Sequence, residues 1–353
     1  SKLCRDMPFC TASVRGELNR RGLEVHTIAS CNDATRRDDE GNLDKVLAGN
    51  HIDDTTESRE SLLYFEISRH AHPSELEELR DTLTAILSNV ALVVDDFKAM
   101  RQALKVATEH VRGSECVSQD FRDEAIAFLD WLEHNHMTFL GYEYLDVSYS
   151  GGKPHVSIDQ SHSLGMLRKR HTRGEQDLLA DLHSMPPDEL KHRQLSFSKS
   201  RQRSSIHRLA YPDYVEVKVF DDAGHVIGQH RFIGLYTAEV YSLNPAAIPI
   251  LRRKLQRVVE RSGLDRDEHD GRELARVLEL YPREELFQSS VQELFETTSA
   301  INRIQERRQT RVFVRKDPHG KFFNCLVYIP RDRYTTAPVS YTHLTLPTTS
   351  ALC

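Results

Sequence analysis

The signatures that announce an enzyme site are missing from this sequence. It has no Gly-rich phosphate loop, no Cys-x-x-Cys pair, no Gly-x-Ser-x-Gly and no His-Glu-x-x-His. No apolar run approaches the roughly 20 residues of a membrane span, so no membrane partner is expected. The opening SKLCRDMPFC lacks the apolar stretch of a signal peptide and starts without Met, so truncation at the N-terminus is the expectation. The six cysteines (Cys4, Cys10, Cys31, Cys116, Cys325, Cys353) fit no zinc spacing and read as free thiols of a cytoplasmic protein. Basic residues are not in excess: 47 Lys and Arg stand against 53 Asp and Glu, for a net charge of -6. A general nucleic-acid binder needs the opposite balance. Eighteen histidines are scattered and imply no metal.

What is present is a globular pattern in 353 residues, long enough for two or three domains. Phe9, Val14 and Leu18 predict a helix over Met7–Arg21, stopped by Gly22. LEVHTIA (23–29) alternates like a half-buried strand, and SLLYFEISR (61–69) reads as another. The polar, acidic stretch between them (32–60) reads as a long loop or an extended hairpin end. Pro73–Val93 carries Pro at its start, acids in its first turn and Leu76, Leu79, Leu83, Ile86 and Leu87 on one face. A connector helix over Asp95–Val111 follows, and then a helix capped by Asp120. MTFLGYEYLDV (137–147) is strand-like. YVEVKVF (214–220), the turn Asp221–Gly224 and Val226–Leu235 form a β-hairpin. Helices are predicted over Pro245–Ser262, with Gly263 just past the end, then over Asp270–Leu280 and Glu284–Arg308. A second hairpin runs over Arg311–Arg315 and Lys321–Ile329. The order of elements suggests α+β modules of βαββαβ type, the first missing a strand or holding it at the very N-terminus. The last nineteen residues, from Thr335, carry no charge and resemble translated adapter read-through; a flexible tail is the alternative, and both stand outside the fold.

Candidate chemistry is sparse. His70 and His72 lie two apart at a strand end without a third ligand, and His134 and His136 lie on different faces of a helix end. Asp265–Gly271 opens like a calcium loop, but Gly falls at position seven and Arg276 stands where Glu is needed, so solvated cap acids explain it better. Gly151-Gly152-Lys153 is a turn. The basic stretch Lys191–Arg208 has only Phe197 to stack a base, so a solvated strand or loop explains it better than RNA contact. Arg303–Arg311 reads as a charged helix end. The best ligand candidate is the turn Asp6-Met-Pro-Phe9 at a helix N-terminus, with Asp6, Pro8, Phe9 and Ser13 as effector contacts. A plain N-cap with an early proline explains the same residues.

Several blocks together resemble one family, the large bacterial type of NAD-specific glutamate dehydrogenase. They are DMPF with SVRGELNRRGL (6–9, 13–23), HMTFLGYEYLDV (136–147), SIHRLAYPDYVEVKVFDDAGHVIGQHRFIGLYT (205–237), IPILRRKLQRVVERSGLDRDEHDGREL (248–274), LYPREELFQ (280–288) and RVFVRKDPHGKFFNCLVYIPRDRYTT (311–336). Cys10-Thr11-Ala12 and TIASCNDATRR after His26 depart from that family's pattern. The resemblance implies successive ACT-like βαββαβ sandwiches joined by helical connectors, truncated at both ends. Residues 1–111 would form the first module, 119–243 a second, 244–308 a helical connector and 309–334 the start of a third, with 335–353 a non-native tail. It implies a regulatory and assembly fragment of an NAD-dependent enzyme that deaminates L-glutamate, with NAD bound by a catalytic region that this chain does not match. The fragment alone would be inactive and hold no cofactor. Its partners would be that missing region, further copies in a homo-oligomer and an amino-acid effector. The rival expectations are a structural oligomerisation module without ligand and, more distantly, an RNA-binding protein.

Overall fold

The computed structural model describes residues 2–47, 57–68, 73–169, 174–265, 267–304, 309–329 and 349–352. The expected sites His70 and His72 lie outside these residues. Chain order begins β1 (Lys2–Arg5), α1 (Cys10–Arg20), β2 (Val25–Arg37), β3 (Leu43–Leu47), β4 (Glu57–Ile67) and α2 (Pro73–Asp95). These strands form an antiparallel sheet in the order β1-β4-β2-β3. The strand expected at the extreme N-terminus is therefore present. The polar stretch after Ala29 continues β2 and turns into β3, so the extended-hairpin alternative describes it. The apolar sides of α1 and α2 close one face of this sheet, through Val14, Leu18, Leu63, Leu87 and Val90.

Two helices lead on: α3 (Phe97–Arg112) and α4 (Gln119–Trp131). Asp120 was expected to cap α4; Ser118 holds the cap position in extended backbone, and Asp120 falls in the first turn. The chain leaves α4 through an irregular turn, Leu132–His136, with Asn135 at φ 64°. It then enters β5 (Met137–Ser150), β6 (Lys153–Ile158), the two-residue β7 (Leu164–Gly165), α5 (Gly174–Ser184), α6 (Pro187–His192), β8 (Leu195–Lys199), β9 (Asp213–Phe220) and β10 (Val226–Tyr236). These strands form the central sheet, β6-β5-β10-β9-β8, with β7 added against β5. Gly165 sits at φ 59°, where an added Cβ would lie 2.4 Å from the Leu140 carbonyl oxygen, so only glycine lets β7 approach.

Register on the central sheet sorts its side chains. Val215, Val217, His230, Phe232 and Tyr142 share one face, while Glu216, Lys218, Arg231 and Glu143 share the other. Met100 and Leu104 of α3 and Phe128 of α4 join the core with the first face. The second face is buried too, and every residue of β9 is buried.

The remaining elements are α7 (Ala238–Ser242), α8 (Leu251–Ser262), α9 (His269–Leu280), α10 (Arg283–Gln288), α11 (Val291–Ile304), β11 (Arg311–Lys316), β12 (Phe323–Tyr328) and β13 (Thr349–Leu352). Two expected helices are broken. The one expected from Pro245 starts only at Leu251, because Ile250 sits at φ 69° with its N–H donated to Glu124 Oε2 at 2.8 Å. Gly263 does end it in left-handed backbone. The one expected over Glu284–Arg308 splits at Ser289–Ser290, where a new helix starts with a capping box. Ser290 N donates to Glu293 Oε2 at 2.7 Å, and Glu293 N donates back to Ser290 Oγ at 3.2 Å. Residues after Thr335 were expected outside the fold; Thr349–Leu352 instead pairs in parallel with β12, because an uncharged segment can continue an open sheet edge.

Candidate functional site

Two places concentrate interactions beyond packing. The first is the turn before α1. Phe9 holds left-handed backbone at φ 72°, and its ring lies 4.9 Å from that of His207, itself at φ 66°. Ser13 is buried; its Oγ donates to the Phe9 carbonyl at 2.7 Å and accepts the His207 N–H at 2.9 Å. Asp6 Oδ1 accepts from Asn32 Nδ2 and Ser61 Oγ, both at 3.3 Å, and Pro8 is exposed. Asp6, Pro8 and Phe9 thus share one turn and Ser13 lies in the first turn of α1, where it is committed to joining α1 to the 204–210 connection between β8 and β9. Cys10, at the first helical position, is buried beside Cys4; burial pushes its thiol up to about 12, so it is no nucleophile at neutral pH.

The second place carries more charge. Arg231 is 1% exposed. Its Nη1 donates to Glu143 Oε1 at 2.9 Å, its Nε donates to Glu216 Oε1 at 3.0 Å, and its Nη2 lies 3.7 Å from Asp177 of α5. The guanidinium also stacks 3.8 Å over the Tyr214 ring. Burial pushes the Arg231 pKa down, yet Tyr214, Glu216 and Glu143 hold it above its ordinary value. Gly174 opens α5 because a Cβ there would lie 2.6 Å from Arg231 Nη1.

The turn between β11 and β12 then plugs into this network. Lys321 Nζ lies 2.6 Å from Asp177 Oδ2. His319 Nε2 lies 2.9 Å from Asp181 Oδ1, and Lys218 Nζ lies 3.5 Å from Asp181 Oδ2. The hydrogen bond to Asp181 raises the His319 pKa, and burial opposes it. Burial alone would raise Asp181; His319 and Lys218 carry it below the usual carboxylate range. On the same hairpin, Arg315 makes a fork to both Glu285 oxygens at 2.7 Å. The strand pair over Arg311–Tyr328 is thus tied by buried charges to two other parts of the chain, α5 of the central sheet and α10.

Other expectations resolve here. His134 and His136 each place Nδ1 2.6 Å from a backbone carbonyl oxygen, of Asp130 and Trp131. In the basic stretch, Arg193 pairs with Glu189, Lys199 with Asp213, and Arg208 donates to the Tyr236 carbonyl. Asp213 is fully buried, and desolvation pushes it up to about 6 despite Lys199 at 3.1 Å. On the face opposite Arg231, His230 bridges His110 and Tyr142 at 2.8 and 2.9 Å, and burial pushes it down to about 3. The Arg231 network was not foreseen. Its signal was the offset of charges in the hairpin, Glu216 and Lys218 on one strand and Arg231 on the other, which alternation by itself does not assign to a covered or an open face.

The class of protein follows from comparison with known sequences. Family models described as glutamate dehydrogenase ACT1 domain, helical motif 1 and ACT2 domain match residues 3–83, 248–307 and 311–346. An NAD-specific glutamate dehydrogenase of Halomonas elongata is 42% identical over 95% of the chain, and one of Pseudomonas aeruginosa is 42% identical over 94%. One of Mycobacterium tuberculosis is 30% identical over 79%. The chain belongs to the NAD-specific glutamate dehydrogenase family. It spans only about a fifth of the length of the first two relatives, 21% and 20%.

The family name implies NAD, and the described residues do not fit it. A dinucleotide is cradled where a parallel strand turns through glycines into a helix N-terminus. Here, among the described residues, the strand pairs are antiparallel except for β12 with β13, and the short strand-to-helix entries at Asp6–Phe9 and at Thr237 contain no glycine. No hydride step is assigned to these residues.

Proposed function

We propose that this chain is the regulatory and assembly region of an enzyme that converts L-glutamate, NAD+ and water to 2-oxoglutarate, ammonium, NADH and a proton. Hydride transfer falls to a part of the relatives that the chain does not match. The observation that carries the reading is the buried junction at Arg231, Asp177 and Lys321. It joins the ACT2-matched hairpin to a central sheet that lies between the ACT1 and helical-motif matches. Such a junction transmits a change in one module as a change in packing of the next, since buried charges tolerate few arrangements.

The order β1-α1-β2-β4-α2, with β4 between β1 and β2, supports an ACT-like sandwich for the first module, and residues 119–243, 244–308 and 309–334 are read as the later modules and connector. Asp6, Pro8, Phe9 and Ser13 are the proposed effector contact, with Ser13 positioning the turn. The open face of the first sheet, with Leu62 and Tyr64 each 45% exposed, supports a homo-oligomer or docking of the catalytic region. No helix among the described residues is long and apolar enough to cross a membrane, and a cytoplasmic enzyme is the reading taken. The test is to mix the purified chain with L-glutamate and NAD+ and follow NADH absorbance. No turnover is expected; sustained turnover overturns the proposal.

A further inference from the structure

A cavity of about 530 Å3 opens at the meeting of α4, the α6–β8 segment, α8, the α10–α11 junction and the β11–β12 turn. That size is in the range of small-molecule sites. Its lining carboxylates are already committed. Glu124 binds Ile250 N and Arg252, Asp181 binds His319, Glu216 binds Arg231, and Glu293 caps α11. Lys254 is committed as well: its ammonium donates to the carbonyls of Leu286, Phe287 and Ser289 at 2.8 to 2.9 Å.

What is left over has a definite chemistry. Gln194 and Ser198 line the cavity, each 3% exposed, and Gln194 Oε1 and Ser198 Oγ have no hydrogen-bond partner among the described residues. His319 Nδ1, also in the lining, has none either. Buried polar atoms are seldom left unpaired, so three around one void mark a place where something else pairs with them. At the rim, Arg257 stacks 5.0 Å from the centre of the Phe121 ring, and Arg253 lies 5.5 Å from it. Arg253 is bound to Asp120, whereas Arg257 shows, among the described residues, only the ring contact. The uncommitted charge facing the cavity is therefore positive, and the uncommitted acceptor at its wall, Gln194 Oε1, asks for a donor.

We infer that this cavity binds a small carboxylic acid that also carries a hydrogen-bond donor, its carboxylate at Arg257 and its donor at Gln194. The site goes beyond the proposed function and does not depend on it. Its walls come from the central sheet, from the helical-motif match and from the hairpin at the start of the ACT2 match, so a ligand here would hold all three together. It is also separate from the Asp6–Ser13 turn.

The test uses the full chain and three probes: L-malate, which has a hydroxyl donor, succinate, which has none, and inorganic phosphate, an anion of other shape. Titration calorimetry should show malate binding at least about fivefold tighter than succinate, as expected when a buried acceptor gains or lacks its partner. Phosphate should bind no better than succinate. Gln194→Leu should erase the preference for malate while keeping succinate binding. Arg257→Gln, at an exposed position that leaves folding intact, should weaken both acids about fivefold or more. Ser13→Ala should change neither. Absence of malate binding, malate binding unaltered by both cavity variants, phosphate binding as tight as malate, or loss of binding in Ser13→Ala alone would each overturn the inference. The NADH assay reads the proposed function separately, so either can fail without the other.

Discussion

On the first sheet, Leu62 and Tyr64 stand on a face where each keeps 45% of its surface in solvent, while in the central sheet all eight residues of β9 are buried. Both sheets are antiparallel and both pack a pair of helices against one side. They differ in what lies on the other. Among the described residues nothing covers that side of the first sheet, and its strands carry polar residues there at little cost. The central sheet is covered on both sides, by α3 and α4 on one and by α5 with the β11–β12 turn on the other. Its polar face had to be satisfied from within, and Arg231 with three carboxylates is the result. Covering a polar face makes a joint between modules specific, because a shifted joint strands buried charge.

The comparison is broken most directly at Arg231. Arg231→Met leaves Glu143, Glu216 and Asp177 buried around a missing cation, and should cost about 3–5 kcal/mol in urea unfolding. A cost below about 1 kcal/mol would show that the polar face is wet in solution, and the contrast between the sheets would collapse.

A pH titration sharpens the other face. His230 is held down to about 3 when folded, against an ordinary value of 6.5. Between those values the unfolded chain takes up a proton that the folded chain refuses. Its contribution is therefore full above pH 6.5 and is lost as the pH falls toward 3, at a limiting slope of about 1.4 kcal/mol per pH unit. Asp213, raised to about 6, pulls the opposite way, since its folded form keeps a proton that the unfolded form releases above 3.8. The difference between the parent and His230→Gln isolates the histidine, and should amount to about 2 kcal/mol between pH 6.5 and 5. Parallel curves would place His230 in solvent.

A smaller effect is expected where the two regions touch. Ser13→Ala removes the bonds to the Phe9 carbonyl and from the His207 N–H, and should cost about 1–2 kcal/mol. Smallest of all, Leu62→Ser on the open face should move stability by no more than about 0.5 kcal/mol in dilute solution. A larger loss that grows with protein concentration would show that a second copy covers that face.

Much of the fold was legible locally. The α2 stripe apart from the exposed Leu76, the hairpin around Asp221–Gly224 and the Gly263 stop were readable because each is decided by neighbours within a few residues. Misreadings occurred where a distant residue intervened. Glu124, more than a hundred residues away, takes the Ile250 N–H and delays α8. The split before α11 is an exception: Ser290 and Glu293 have the spacing of a capping box, a signal present in the sequence but overridden by the apolar period around it. Of the candidate site residues, Asp6, Pro8, Phe9 and Ser13 lie near one another, and the contact of this region with His207 was not legible in the sequence. The Arg231 network and the cavity at Gln194 were not found at all.

By itself, then, the order of residues determined the elements, the antiparallel pairing of the long hairpin and the family to which the chain belongs, because periodicity, turn chemistry and identity are written along the chain. The assembled molecule alone decided which polar faces are buried. Alternation states that Glu216 and Lys218 point one way, but whether that way holds water or Asp177, Asp181 and Lys321 depends on elements up to about a hundred residues distant. The energy of a charge is set by that surrounding medium rather than by its place in the sequence.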